Sequence, residues 1–286
     1  MTILVGVLAR DGAVVAADQA VTVGLSAFQN TIADRVEKLH LVGDQVIVTG
    51  TGETGMLQRL SRSAQHFFGY LRAPATIGDS PLQVLANTAC FLPEMVAAAR
   101  LHEMRQTNDA VQIGVMISQL MNEAITETHG NRGQFGALIA YVVDNTPHLC
   151  QFQMADFQPE QKTDTSWYVS MGTGQILADP YLALMRRTFW KDGQPSVESA
   201  VFTAFWVIYH AIEAAPGLIA HPIDMAVLKK WDGERYTARL MTDAEREEHL
   251  DAVRASDQHL VAFLQPHISP IPPPPEPPSP SLPKSE

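Results

Sequence analysis

The order of strand-like and helix-like segments is the feature that most constrains the fold of this chain. Two apolar strands open it, "TILVGVLA" and "AVVAAD", and two more follow as "KLHLV" and "QVIVTG". The turn signals between them, Asp11-Gly12 and Gly43-Asp44, are typical of antiparallel hairpins. Apolar residues at helical spacing then predict a helix from Met56 to Leu71.

The rest of the chain repeats this succession of strands and helices. Residues 81–128 are helical in character, and strands follow as "FGALIAYVVD", "HLCQFQ" and "SWYVSMG". Two helical stretches, "DPYLALMRRTFW" and "SVESAVFTAFWVIYHAIEAA", precede a closing pair of strands, "IDMAVLKK" and "RYTARLM". Thr242 and Glu245 form a capping box that opens a last helix to about Leu264. This order indicates stacked layers rather than alternating βαβ units.

Length and charge limit the domain organisation and the partners. Residues 1–265 suit one large domain or two small ones, whereas residues 266–286 contain ten prolines and are expected to be a disordered tail or a docking peptide. The net charge of −11, without a basic stripe, argues against a nucleic-acid partner, because phosphate binding needs clustered Lys and Arg. No segment has the roughly 18 uninterrupted apolar residues of a membrane-spanning helix.

Cysteines and histidines indicate neither disulfides nor a metal. Cys90 and Cys150 form no C-x-x-C motif, and the ten histidines include no H-E-x-x-H or other close ligand pair. We therefore expect two buried thiols in a reducing compartment, and no metal or cofactor. Arg10 and Asp11 interrupt the first apolar run too early for a signal peptide, which places the protein in the cytoplasm.

A glycine motif follows the fourth strand. The stretch "VIVTGTGETGML", residues 46–57, has the spacing G-x-G-x-x-G of a dinucleotide-binding loop. That loop requires a second parallel strand after the helix, with an acidic residue about 20 positions further on. Here the helix leads into "RAPATIGDSPLQ" and more helix, so nucleotide binding is not expected. A backbone N–H in such a turn can instead stabilise an oxyanion.

A nucleophile for such an oxyanion is available at the start of the chain. Thr2 follows Met1, and a small second residue is what methionine removal requires, so the mature chain is expected to begin at Thr2. A terminal threonine carries its own base, since an α-amine has an unperturbed pKa near 7.7 to 8.0. Threonine is common at this position, however, and Asp18 and Lys38 taken singly are typical of a turn acid and a solvated lysine. Thr2, Asp18, Lys38 and Gly50 become informative only as a set.

This set resembles the β-type proteasome subunits, which are N-terminal nucleophile hydrolases, and in particular the bacterial HslV, Anbu and beta-proteobacterial types. "TILVGVLARDGAVVAAD" is similar to the family's opening hairpin, "VEKLHLV" to its lysine strand, and "YVVDNTPHL" to its central hairpin. "SMGTG" resembles a Gly-Ser-Gly turn with Thr173 in the serine position, and "PIDMAVL" resembles a late strand. The resemblance covers most of residues 2–230 and implies an α+β fold, a four-layer αββα sandwich, with an enlarged helical region at about 81–128.

The resemblance also implies a chemistry, a threonine endopeptidase without a cofactor. Thr2 would be the nucleophile, Lys38 would favour the neutral amine, Asp18 would orient Lys38, and Gly50 N–H would bind the oxyanion. The pocket for the residue before the cut would be apolar, and the substrate would be a peptide or unfolded protein. The expected substrate-binding residues are Val21, Thr22, Val36, His40, Val48, Gly52 and Met56. The family further implies a homo-oligomer, with a heptameric double ring favoured over a hexameric one, and a possible ATPase unfoldase.

One departure leaves two alternatives open. Many family members carry an aspartate and a serine, three residues apart, that hold the terminal amine near the position of residue 214, but this chain reads "IEAAPGLIAHPID". Glu213 could substitute for the missing acid, although a helix-surface position is the simpler interpretation. The alternatives are a catalytically silent ring-forming scaffold and an amidohydrolase acting on a small amide, which would need a polar pocket.

Overall fold

The computed structural model describes residues 2–26, 29–33, 36–52, 54–72, 109–127, 135–154, 156–216 and 219–265. Within these ranges the strands are β1 (Leu4–Ala9), β2 (Gly12–Asp18), β3 (Val21–Ser26), β4 (Gln29–Ala33), β5 (Leu39–Val42), β6 (Val46–Gly52), β7 (Phe135–Val143), β8 (Thr146–Phe152), β9 (Pro159–Gln161), β10 (Tyr168–Met171), β11 (Ile223–Lys230) and β12 (Tyr236–Leu240). The helices are α1 (Thr54–Arg72), α2 (Ala110–Glu127), α3 (Gln175–Phe189), α4 (Val197–Ala214) and α5 (Asp243–Leu264).

The strands form two five-stranded antiparallel sheets and a separate hairpin. The first sheet has the order β10-β1-β2-β11-β12, and the second has the order β5-β6-β7-β8-β9. Strands β3 and β4 pair only with each other in the described part of the chain. The first and last strands of the chain therefore share one sheet, whereas the middle of the chain builds the other.

Helices cover the outer face of each sheet, which gives four layers. One buried cluster joins apolar side chains of both sheets to α3 and α4, and a second joins the second sheet to α1 and α2. Strands β1 and β2 are buried along their whole length because they are covered on both faces, which explains their continuous apolar sequences. The expected four-layer αββα sandwich is thereby confirmed.

The first hairpin turns one residue earlier than predicted. Ala9 pairs with Gly12, so the turn is Arg10-Asp11 and Gly12 is the first residue of β2. Glycine at position 12 is explained by a distant strand, because a Cβ there would lie 2.2 Å from the carbonyl oxygen of Leu228 on β11. Glycine is needed there for close approach of two backbones rather than for the turn.

Most predicted helix ends lie within two residues of those in the structure, but α3 begins at Gln175, four residues before the predicted start at Asp179. Thr242 and Glu245 form the capping box at the start of α5, as their spacing predicted. Of the helical region at 81–128, α2 accounts for residues 110–127, and residues 73–108 lie outside the described part, as do Cys90 and the tail, residues 266–286. None of the helices described combines the length and apolar character needed to cross a bilayer.

Candidate active site

Pairing of β1 with β2 brings Thr2 close to Asp18. Ile3 N–H donates to Asp18 Oδ1 at 2.9 Å, and Asp18 N–H donates back to the carbonyl oxygen of Ile3 at 3.3 Å. The residue that follows the proposed nucleophile is thus held directly by the aspartate. Two positions that are 16 residues apart in sequence become neighbours because a hairpin joins them.

Asp18 is fully buried and receives three hydrogen bonds. Besides Ile3 N–H, the donors are Lys38 Nζ at 2.8 Å and Ala20 N–H at 3.2 Å. Lys38 Nζ also donates to the carbonyl oxygen of Ala20 at 2.6 Å, and only 4% of Lys38 is exposed. The predicted surface-lysine alternative therefore does not describe Lys38, which is a buried cation with two oxygen acceptors.

Lys38 lies at the start of the second sheet. Lys38 immediately precedes β5, and Thr49 on the neighbouring β6 donates its hydroxyl to the carbonyl oxygen of Lys38 at 2.7 Å. This bond fixes the main chain from which the lysine side chain extends. The site is therefore assembled from the end of β2 in one sheet and the start of β5 in the other.

Burial acts on both members of the ion pair. It raises the pKa of Asp18, which Lys38 and the two N–H donors oppose, and it lowers the pKa of Lys38, which Asp18 and Asp224 oppose. Burial therefore makes the positive charge of Lys38 less favourable than it would be in water. The charge of this lysine depends on the carboxylates around it.

The turn formed by residues 172–174 contacts the main chain of Thr2. The Thr2 nitrogen, which here is the amide of the Met1–Thr2 peptide bond, donates to Thr173 Oγ1 at 3.2 Å, and Gly174 N–H donates to the carbonyl oxygen of Thr2 at 3.0 Å. Gly172 has a φ of +90°, and a Cβ there would lie 2.3 Å from that carbonyl oxygen. The turn between β10 and α3 can approach Thr2 only because it begins with glycine.

Gly50 lies where β6 loses one of its neighbours. The pairing of β5 with β6 ends at Leu39 and Thr49, whereas Gly50 still pairs with Ala137 on β7. A Cβ at Gly50 would lie 2.9 Å from the Phe135 ring, so glycine is required by packing on that side.

The glycine motif is not a dinucleotide-binding loop. Strand β6 is antiparallel to both of its neighbours, whereas a βαβ unit would join parallel strands through α1. Gly52, at the end of β6, has a φ of +110°, and Gly55 has no atom within 4 Å of a built Cβ. Gly50 and Gly52 belong to the end of β6, and Gly55 belongs to the first turn of α1.

The expected substrate-binding residues divide into three groups. His40 and Val48 are paired across β5 and β6, and Val48 and Met56 are buried in the cluster beneath α1. Val36 is half-buried and precedes β5, whereas Gly52 is exposed at the end of β6. For Val21 and Thr22 only the backbone, in β3, is described.

His40 brings a polar group into this otherwise apolar set. Its Nε2 atom is buried and has no hydrogen-bond partner among the described residues.

Several residues near the site were not assigned from the sequence. Gly172 and Gly174 stood in the quoted "SMGTG" stretch, but only Thr173 was given a role. Asp224 was detectable as a carboxylate inside the apolar strand "IDMAVL"; it is 8% exposed and accepts from the Gln19 side chain at 2.5 Å.

Glu213, the possible substitute for the missing acid, is exposed at the end of α4. In the described residues, the recorded partner of the Thr2 nitrogen is the Thr173 hydroxyl and not a carboxylate.

Comparisons with known proteins concern the family resemblance and the fold of this chain. The family model described as "Proteasome subunit" matches residues 2–68, which confirms the resemblance seen in the sequence. That segment contains Thr2, Asp18, Lys38 and Gly50. A comparison with curated protein sequences finds no match.

Solved structures of Anbu proteins share the fold. Anbu (ancestral beta-subunit) from Yersinia bercovieri has a TM-score of 0.59 at 13% identity, over 92% of this chain and 96% of that one. The helical assembly of the Anbu complex from Pseudomonas aeruginosa has a TM-score of 0.61 at 14% identity, over 94% and 98%. Anbu from Hyphomicrobium sp. strain MC1 has a TM-score of 0.54 at 14% identity, over 91% and 96%. At such identity the likeness establishes the fold.

Proposed function

We propose that this chain is a threonine endopeptidase of the proteasome type, with Thr2 as its nucleophile once processing makes Thr2 the first residue. The observation that carries this proposal is the Asp18 carboxylate, which holds both Ile3 N–H and Lys38 Nζ. One buried acid thereby connects the residue next to the nucleophile with a buried cation. The family match to residues 2–68 supports the same assignment.

The chemistry needs only groups of this chain. Thr2 Oγ1 attacks the carbonyl carbon of a peptide bond while its proton passes to the Thr2 α-amine. The amine gives that proton to the leaving nitrogen as the C–N bond breaks, which leaves an acyl ester on Oγ1. Water then attacks the ester; the amine accepts a proton from the water, and the alkoxide leaves as the Thr2 hydroxyl is restored.

Lys38, Gly50 and Thr173 support this sequence of steps. The Lys38 ammonium disfavours a second positive charge nearby, so it favours the neutral, basic form of the Thr2 amine. Gly50, which lies beyond the last residue pair between β5 and β6, supplies an N–H for the tetrahedral oxyanion. Thr173 Oγ1 accepts from the Thr2 nitrogen and orients it.

The pocket residues favour a peptide substrate over a small polar amide. Val36 is half-buried and offers apolar surface, which suits an apolar side chain before the cut, whereas Val48 and Met56 are buried in the cluster beneath α1 and would support the subsite from within the core. Val21, Thr22, His40 and Gly52 complete the proposed subsite. An amidohydrolase acting on a small amide would need several polar groups in place of these aliphatic side chains.

A catalytically silent scaffold is the second candidate. It is favoured by the surroundings of the Thr2 nitrogen: the amide of the Met1–Thr2 bond donates to a neutral hydroxyl and, within the described residues, to no carboxylate that could hold the amine after processing. An amine without an acid to hold it would be a poorly oriented base. Trapping of the nucleophile distinguishes this candidate from an active enzyme.

The assembly is proposed on the same grounds as the activity. The domain formed by residues 1–265 would build a homo-oligomer, with residues 266–286 as an appended tail, in the cytoplasm. The resemblance favours a heptameric double ring with an ATPase unfoldase as partner, whereas the related Pseudomonas protein is described as a helical assembly. Electron microscopy of the purified protein distinguishes seven-fold or six-fold rings from a helix.

Covalent trapping of the processed protein tests the function. Mass spectrometry first establishes that Thr2 is the N-terminus, and a peptide boronate is then added alongside a fluorogenic peptide. We expect an adduct on Thr2 and inhibited peptide turnover, with no binding of ATP or NAD at millimolar concentration. Turnover of small amides alone would indicate the amidohydrolase, and a processed, assembled protein without an adduct would indicate the scaffold.

A further inference from the structure

Residue 19 is attached to strand β11 by both its main chain and its side chain. Gln19 N–H donates to the carbonyl oxygen of Pro222 at 3.2 Å, and Gln19 Nε2 donates to Asp224 Oδ2 at 2.5 Å. The ladder between β2 and β11 ends at Asp18 and Ile223. Residue 19 therefore lies just past the paired strands. There its two hydrogen bonds hold the chain in place of strand pairing.

This attachment matters because the neighbours of Gln19 bind the lysine. Asp18 supplies the carboxylate oxygen and Ala20 supplies the carbonyl oxygen that accept from Lys38 Nζ, at 2.8 and 2.6 Å. A shift of residue 19 would move both acceptors, since they are joined to it by peptide bonds. The geometry around Lys38 thus depends on the anchor at Asp224.

The charges around this anchor come from three elements. Lys38, before β5, is faced by Asp18 on β2 and feels the field of Asp224 on β11. Asp224 Oδ1 also faces Arg246 Nη1 on α5 at 3.4 Å, and Arg246 in turn pairs with Asp243. The negative charge of Asp224 is therefore shared between the lysine of the site and an arginine of the last helix.

We propose that Asp224 is a positioning residue of the site: it holds Gln19 so that Asp18 and the Ala20 carbonyl converge on Lys38. This inference rests on the proposed function for its catalytic consequence, but the positioning itself is a statement about geometry. Asp224 touches neither Thr2 nor Lys38 through a recorded hydrogen bond. It acts through residue 19 and through its charge.

Two substitutions separate these contributions. Asp224→Ala removes both the acceptor for Gln19 and the charge, whereas Asp224→Asn keeps an amide oxygen that can accept from Gln19 Nε2. For Asp224→Ala we expect kcat for peptide hydrolysis to fall roughly 10- to 100-fold, the range for loss of a hydrogen bond to a charged group, with KM changed less than about twofold. Asp224→Asn should recover most of kcat. Gln19→Leu should resemble Asp224→Ala.

The test uses the full assembled chain and adds a structural readout. Crystal structures of wild type, Asp224→Asn and Asp224→Ala are compared at the Lys38 Nζ to Ala20 oxygen distance, which is 2.6 Å here. We expect this contact to be kept in Asp224→Asn and lost in Asp224→Ala. Asp251→Asn, an exposed acid of α5 paired with Arg254, is the matched control and should change nothing.

The outcomes distinguish the two proposals. An unchanged Lys38 contact with unchanged kcat in Asp224→Ala would overturn the positioning role. If Asp224→Ala does not fold, Gln19→Leu provides the same comparison, and an unchanged Lys38 contact there overturns the role equally. If wild type neither hydrolyses peptides nor forms a boronate adduct, the proposed function fails, while the crystal comparison still decides whether Asp224 positions the lysine.

Discussion

Lys38 Nζ lies 2.8 Å from Asp18 Oδ1, and the two residues reach this contact from opposite sheets. Asp18 is the last residue of β2, and Lys38 directly precedes β5. Both are shielded from solvent, so each charge depends on the other for compensation. The contact links the two sheets near Thr2. It also holds the Lys38 ammonium, the positive charge to which we assign a catalytic role.

Removing one partner of this pair should affect both stability and catalysis. Lys38→Ala leaves Asp18 without its cation, and we expect the free energy of unfolding to fall by about 3–5 kcal/mol, as for other broken buried pairs. We also expect kcat to fall far more than KM changes, because the cation acts in the transition state. Lys38→Arg should not restore activity, since a planar guanidinium cannot replace a compact ammonium.

Urea unfolding and peptide kinetics measure the two effects. Lys162→Ala is the control: Lys162 is buried and paired with Glu160, but the Glu160 side chain is half-exposed, so the loss should be smaller. Activity of Lys38→Ala or Lys38→Arg within about twofold of wild type would assign this pair a purely structural role.

Thr2→Ala should abolish peptide hydrolysis without disturbing assembly. The substitution removes the Oγ1 nucleophile and one methyl group, while the hydrogen bonds of Thr2 to Thr173 and Gly174 are made by its main chain. Turnover of a fluorogenic peptide and size-exclusion chromatography measure the two properties. Thr163→Ala, at an exposed threonine, is the control and should keep full activity. Equal turnover in wild type and Thr2→Ala would rule out the threonine mechanism.

Gly172→Ala should lower both stability and activity. The φ of +90° is unfavourable for alanine, at a cost of about 1–3 kcal/mol, and the added Cβ would meet the carbonyl oxygen of Thr2. Thermal unfolding and peptide turnover measure the change. Gly55→Ala is the matched control, because its Cβ would meet no atom within 4 Å and alanine favours the helix. Equal behaviour of the two variants would contradict the role of the Gly172 turn.

The packing role of Gly50 can be separated from its proposed oxyanion role. We expect Gly50→Ala to destabilise the protein by about 1–3 kcal/mol through contact with the Phe135 ring. In a Phe135→Leu background the same change should cost less, so a double-mutant cycle measured by urea unfolding should show coupling. If the Gly50 N–H stays in place, the double variant should also bind a peptide boronate more tightly than Gly50→Ala alone. Additive effects would show that Phe135 is not the obstacle.

Lowering the pH should reduce the contribution of Glu245, at the start of α5, to the stability of the protein. Hydrogen bonds from Arg239 and then from Thr242 N–H lower the pKa of Glu245 from 4.5 to about 2. A carboxylate with a lowered folded-state pKa stabilises the protein above its unfolded pKa, and this contribution is lost as the pH falls from about 4.5 towards about 2. Glu245→Gln should remove this pH-dependent part in urea unfolding. Glu247→Gln, at an exposed position of the same helix, should leave it unchanged.

Local patterns in the sequence predicted the five helices and nine of the twelve strands in the described residues, but not the hairpin strands β3 and β4 or the three-residue strand β9. Apolar runs beside turn signals predicted β1, β2, β5 and β6, and helical spacing predicted α1. The capping box at Thr242 and Glu245 marked the start of α5 because it involves residues only three apart. Resemblance to a known family was needed to group Thr2, Asp18, Lys38 and Gly50, since each of them alone is an ordinary residue.

The tertiary structure decided what depends on segments distant in sequence. The requirement for glycine at position 12 and the anchor between Gln19 and Asp224 both result from strand β11 packing beside β2. Likewise, Lys38 is buried only because the second sheet places it against Asp18. Sequence periodicity reports which side of an element is apolar, but the desolvation and close backbone approach that define this site arise only when the two sheets are packed together.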